Sequence, residues 1–83
     1  MDHILISLYV PALEEAFDVM VPDFMPVGDV IRLLGQALAE LSYGNYVISG
    51  NELLCAVDRN QLLLEDYSLS AYGVGNGDRL MIC

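Results

Sequence analysis

The sequence predicts an α+β domain, a mixed β-sheet with one helix packed on one face. Three observations predict it. Two apolar–polar alternations of strand period open the chain, at residues 3–10 and 17–21. One stretch, residues 27–41, switches to helical spacing. Beyond it the apolar runs are short and of strand length, at residues 52–57, 61–64 and 79–83.

In the first run Ile4, Ile6, Leu8 and Val10 share one face, and His3, Leu5, Ser7 and Tyr9 share the other. Pro11 closes the run because its nitrogen carries no proton for a ladder hydrogen bond. After residues 11–15, Phe17, Val19 and Val21 alternate with Asp18 and Met20. Two such runs across a short loop predict a hairpin. Its core face takes the even positions of the first strand and the odd positions of the second.

Residues 22–25 form a connector, and Pro26 suits the first turn of a helix, where a missing N–H is harmless. Val27, Val30, Ile31, Leu34, Leu38 and Leu41 then fall on one stripe, with Asp29, Arg32, Gln36 and Glu40 outside it. Asp29 in the first turn complements the helix dipole. Gly28 and Gly35 each cost about 1 kcal/mol against alanine in a helix. A close approach of the helix to the sheet would account for Gly35.

Residues 42–51, rich in Gly, Asn, Ser and Tyr, read mainly as loop. Within them Tyr46, Val47 and Ile48 make either a short strand or an apolar cover over the core. Residues 52–57 are expected to be the third strand, 58–60 a turn and 61–64 the fourth strand. Ser68 is placed to cap a short helical turn at 69–72. The glycine-rich residues 73–78 make a turn that tolerates positive φ. The closing strand, 79–83, carries Leu80 and Ile82 on one face. The order ββαββ(β) lets the first and last strands meet in parallel at the sheet centre, which is the β-grasp arrangement. Eighty-three residues hold one core of adequate size, so one domain spanning 1–83 is expected.

Composition narrows the function. Hydrophobic residues make up 55% and charged residues 18%, which argues against disorder. No apolar run approaches the roughly 20 residues that span a bilayer, and Met1-Asp2-His3 is not the basic opening of a signal peptide. Twelve acids against three arginines give a net charge of −9, and lysine is absent. Such a chain is expected to bind neither nucleic acid nor anionic lipid. It is expected to prefer basic surfaces on protein partners.

Reactive groups are few. A nucleophilic dyad or a Cys₂His metal site would require His3, Cys55 and Cys83 to converge, and no motif spacing supports it. The cysteines read as a small buried hydrophobe and a free thiol in a reducing compartment. The carboxylate pairs Glu14-Glu15 and Glu65-Asp66 lie at turn-like positions and read as solvated loop charges. Residues 73–78 resemble a phosphate loop only in glycine content, because no helix follows and no lysine exists. Catalytic, cofactor and metal sites are therefore not expected. What remains is surface. Leu5 and Tyr9 on the first strand, Met20 on the second, and one of Leu53 or Leu54 on the third, with Leu54 taken, are expected to form an apolar protein-binding patch on the sheet's free face.

Two stretches carry a family resemblance. Pro26-Val27-Gly28-Asp29-Val30-Ile31-Arg32 is similar to the Pro-Val-x-x-Val/Leu-Ile helix opening of the YukD/EsaB ubiquitin-like proteins of bacterial type VII secretion systems. Leu69-Ser70-Ala71-Tyr72-Gly73-Val74-Gly75-Asn76-Gly77-Asp78-Arg79-Leu80 is similar to that family's Leu-Ser-x-x-Gly-Ile/Val-x-x-Gly-Asp-Arg/Leu-Leu ending. The resemblance implies a ubiquitin-like β-grasp and a non-enzymatic, cytoplasmic accessory component. Such a component docks on membrane-embedded secretion machinery or its ATPase. The chain departs from ubiquitin itself at its end, where Leu80-Met81-Ile82-Cys83 stands in place of a Gly-Gly tail. That departure disfavours a modifier or sulfur carrier. A soluble N-terminal ubiquitin-like domain of a larger membrane secretion component remains an alternative.

Overall fold

The computed structural model describes residues 3–83. Met1 and Asp2, and with them the expectation about the opening residues, lie outside the described residues. The elements run β1 (His3–Val10), β2 (Glu15–Pro22), α1 (Val27–Leu41), β3 (Leu54–Ala56), β4 (Gln61–Leu63) and β5 (Arg79–Ile82), with single 3₁₀ turns at Val57–Arg59 and Ser70–Tyr72. The sheet order is β2-β1-β5-β3-β4. Neighbouring strands are antiparallel except for the central β1–β5 pair, which is parallel. This is the expected β-grasp, with the first and last strands meeting at the sheet centre.

The hairpin is longer than the alternation of side chains suggested. Val10 already pairs with Glu15, because Glu14 takes a left-handed φ of 54° and turns the chain within the loop. The Leu13 amide donates to the Val10 carbonyl at 3.0 Å to close that turn. Pro22 pairs with His3 at the far end of β2, an edge strand where a missing N–H is tolerated.

Helix α1 buries Val27, Val30, Ile31, Leu34 and Leu38 against the even face of β1 and the inner face of β3, β4 and β5. Leu41 was expected on that stripe but lies exposed, because it is the last helical residue. No side chain caps the N-terminus. Instead the Val27 and Gly28 amides donate to the carbonyls of Tyr67 and Glu65 at 2.8 and 3.1 Å, which satisfies two of the donors that a helix start leaves open. Gly35 has a different partner from the one expected. A Cβ there would stand 3.2 Å from Ile48 Cγ1, so the close approach comes from the loop over the helix and not from the sheet.

That loop is held by one buried acid. Glu52 was expected to begin β3, but its carboxylate accepts from the Tyr46 hydroxyl at 3.2 Å and from the Ser49 and Gly50 amides at 2.7 and 3.0 Å. Tyr46 is buried while Val47 is exposed, so this stretch serves as cover over the core and not as a strand. Burial, followed by the Glu52 charge, pushes the Tyr46 hydroxyl up to about 12. Burial alone would raise the Glu52 carboxyl, but the amides of Ser49, Glu52 and Gly50 outweigh it and hold it below its ordinary value. Further on, Ser68 Oγ accepts from the Ala71 amide at 3.1 Å, in the capping role its position suggested.

Candidate functional site

With α1 covering one side, the odd residues of β1 face away from the core. Register then assigns their neighbours. Tyr9 lies directly opposite Ala16 on one side and Met81 on the other. Met81 lies opposite Cys55, and Cys55 opposite Leu62. The result is a single apolar row, Ala16–Tyr9–Met81–Cys55–Leu62, that crosses all five strands. Cross-strand partners share a face at short Cβ distance, so the row is continuous. It floors a groove of about 650 Å³, on whose wall Arg79 also stands.

Of the four expected binding residues, three lie on this face. Leu5 is 45%, Tyr9 42% and Met20 63% exposed. Leu5 and Met20 are directly opposite each other across the hairpin, four residues along β1 from Tyr9. The fourth requires correction. Leu54 is 0% exposed and pairs with Ile82 and Leu63, both core residues. A one-residue shift in a strand exchanges its two faces. Cys55 therefore occupies the outer face of β3, and Leu53, 47% exposed, continues it. Met81, Leu62 and Ala16 were not anticipated. Met81 had a signal, since it alternates with the core residues Leu80 and Ile82. The other two became visible only through register.

The charged groups around the groove are committed to one another. Arg79 donates to Asp58, which holds that carboxyl below the usual range and raises the guanidinium. Arg59 donates to the Tyr72 and Gly73 carbonyls and stands 3.6 Å from Asp78. Arg32 pairs with Asp29 on the helix. Each arginine thus already has an acidic partner, and Asp18, beside Ser7 on the outer face, adds negative charge near the row.

The remaining candidates keep apart. His3 stands opposite Pro22, whereas the β1–β5 register sets Tyr9 level with Met81, so His3 and Cys83 lie at opposite ends of the sheet. Glu14, Glu65 and Asp66 are exposed in loops, and Glu15, expected beside Glu14 as a loop charge, is exposed at the first position of β2. The glycine-rich turn binds β1: the Gly77 amide donates to the Leu5 carbonyl at 2.8 Å, and the Leu5 amide to Asn76 Oδ1 at 2.8 Å. Among the described residues no three His, Cys, Asp or Glu side chains are grouped to hold a metal ion. Among the same residues no helix is long and apolar enough to cross a membrane.

A family model described as WXG100 protein secretion system (Wss), protein YukD, matches residues 4–82. Among solved structures, the EccD5 ubiquitin-like domain from Mycobacterium xenopi is 20% identical with a TM-score of 0.72, the alignment covering 100% of this chain and 94% of that one. The MycP5-free ESX-5 inner membrane complex contains a chain that is 22% identical with a TM-score of 0.71, covering 100% of this chain. The present chain spans only 21% of that chain's length. A ubiquitin-like domain from Arabidopsis thaliana is 15% identical with a TM-score of 0.69, covering 100% of this chain and 78% of that one. At these identities the structural likeness shows the fold. No curated protein matches the chain.

Proposed function

The chain belongs to the YukD family of the WXG100 protein secretion system, and from that premise we propose that it is a non-catalytic adaptor that docks on another component through its sheet face. Its place as a ubiquitin-like component of type VII secretion follows from the family; the docking role is the present proposal. The observation that carries it is the apolar row from Ala16 to Leu62, which crosses the whole sheet and has no covering element among the described residues. Exposed apolar surface of this continuity marks interaction sites. The partner's chemistry follows from charge. With a net charge of −9 and every arginine paired within the chain, the face suits an apolar segment flanked by Arg or Lys. A membrane-embedded secretion component or the system's ATPase, presented on the cytoplasmic side, is the partner in this reading.

Co-expression with the membrane components and ATPase of the same secretion system tests it. The wild-type chain co-purifies with one of them, and Leu5→Asp or Met20→Asp reduces recovery while circular dichroism stays native. Unchanged recovery of both natively folded variants would refute the proposal.

A second reading has one observation behind it. In the ESX-5 inner membrane complex this fold occupies only 21% of a longer chain. Under that reading the present chain is the soluble domain of a larger membrane component. The coding sequence downstream of Cys83 decides it, because an in-frame extension with bilayer-length apolar segments supports the reading and a stop codon removes it.

A further inference from the structure

Three sulfur side chains share one corner of the outer face. Cys55 lies directly opposite Met81. Beyond this pair the ladder continues, with the Leu53 amide donating to the Cys83 carbonyl at 3.0 Å and the Cys83 amide to the Leu53 carbonyl at 2.9 Å. Side chains alternate along each strand, so Cys83 emerges on the same face as Met81, two residues along, and diagonal to Cys55. Cys55 is half-buried and Cys83 exposed.

We propose that Cys55, Cys83 and Met81 form a three-sulfur site for a monovalent soft metal ion, Cu(I). Two thiolates and a thioether are soft donors, and that set selects Cu(I) over harder ions. Zinc prefers four ligands drawn from Cys, His and carboxylates, and no third such side chain joins the two cysteines among the described residues. A disulfide fits less well. Diagonal neighbours on antiparallel strands have Cα atoms roughly 7–8 Å apart, whereas disulfides require about 7 Å or less. A bridging ion spans the thiols without moving the backbone. Binding one Cu(I) displaces both thiol protons, so two protons are released and the two thiolates with the bound cation carry one net negative charge. The site is independent of the docking proposal, although Cys55 and Met81 also line the groove.

Anaerobic titration of the full chain with Cu(I), in competition with the chromophoric chelator bicinchoninate, tests the site. The expected result is one Cu(I) per monomer by native mass spectrometry, with two protons displaced. Cys55→Ser and Cys83→Ser each abolish the competition, and Met81→Leu weakens it. The exposed position of Cys83 keeps the test sound even if Cys55→Ser fails to fold. The proposal is overturned if Cys83→Ser competes as well as wild type. It is also overturned if copper is held only by dimers bridged through two Cys83 thiols, or if Met81→Leu leaves the affinity unchanged.

Discussion

Tyr9 and Met81 stand directly opposite each other across the parallel β1–β5 ladder, at the centre of a sheet face that no element among the described residues covers. An aromatic ring beside a flexible thioether makes an adaptable anchor, because both side chains are large and apolar and the sulfur repacks around a guest.

Replacing Tyr9 with alanine should therefore weaken partner binding by about 2 kcal/mol, roughly 30-fold, as expected for a central aromatic anchor. Isothermal titration against the purified partner measures it. Stability should change little, since Tyr9 is 42% exposed and its hydroxyl makes no described intramolecular bond.

Leu53 and Leu54 should behave in opposite ways although they adjoin. Leu54→Ala removes a fully buried side chain between Ile82 and Leu63 and should cost about 2–5 kcal/mol. Leu53→Ala should stay within about 1 kcal/mol. Equilibrium urea unfolding distinguishes them, and equal losses would mean that the face assignment of β3 is wrong.

Gly35→Ala sets two effects against each other. Helix propensity favours alanine by about 1 kcal/mol, but the new methyl would stand 3.2 Å from Ile48 Cγ1. The single substitution should thus gain little. In an Ile48→Ala background the crowding is gone, and the gain of about 1 kcal/mol should reappear. A double-mutant cycle on unfolding free energies reads the coupling.

The loop anchor predicts pH dependence at both extremes. Glu52 is held below its ordinary value of 4.5 in the folded chain, so its stabilisation is present above that pH and is lost as the pH falls below it. Tyr46 is raised from 10.0 to about 12, so its contribution is complete below pH 10 and is lost between these values. In thermal unfolding, Glu52→Gln should weaken the acid-side dependence, to which Asp58 also contributes, and Tyr46→Phe should weaken the alkaline one. Ultraviolet titration should show that the late-ionising tyrosinate is missing from Tyr46→Phe.

Much of this architecture was legible in the sequence because period alone carries it. The alternation of Ile4, Ile6, Leu8 and Val10 and the stripe from Val27 to Leu38 each fix an element and its buried face. Short segments were less legible. In β3, three residues long and followed at once by a 3₁₀ turn, Leu53 and Leu54 are equally apolar, and only pairing with β5 decides which points inward. Glu52 was hidden because a lone acid gives no sign that four polar atoms nearby will enclose it. Leu5, Tyr9 and Met20 could be placed on the free face from β1 and β2 alone. Leu62 and Cys55 joined them through long-range register, which composition does not encode, and Ala16 through the register of the hairpin.

The central claim, that the uncovered sheet face does the docking, is tested most directly by mapping the contact. Uniformly ¹⁵N- and methyl-labelled chain, titrated with the co-purified partner, should show its largest NMR shifts and line broadening at Tyr9, Met81, Cys55 and Leu62, with α1 unaffected. Perturbations confined to the exposed side of α1 or to residues 42–51, with the sheet face silent, would contradict it.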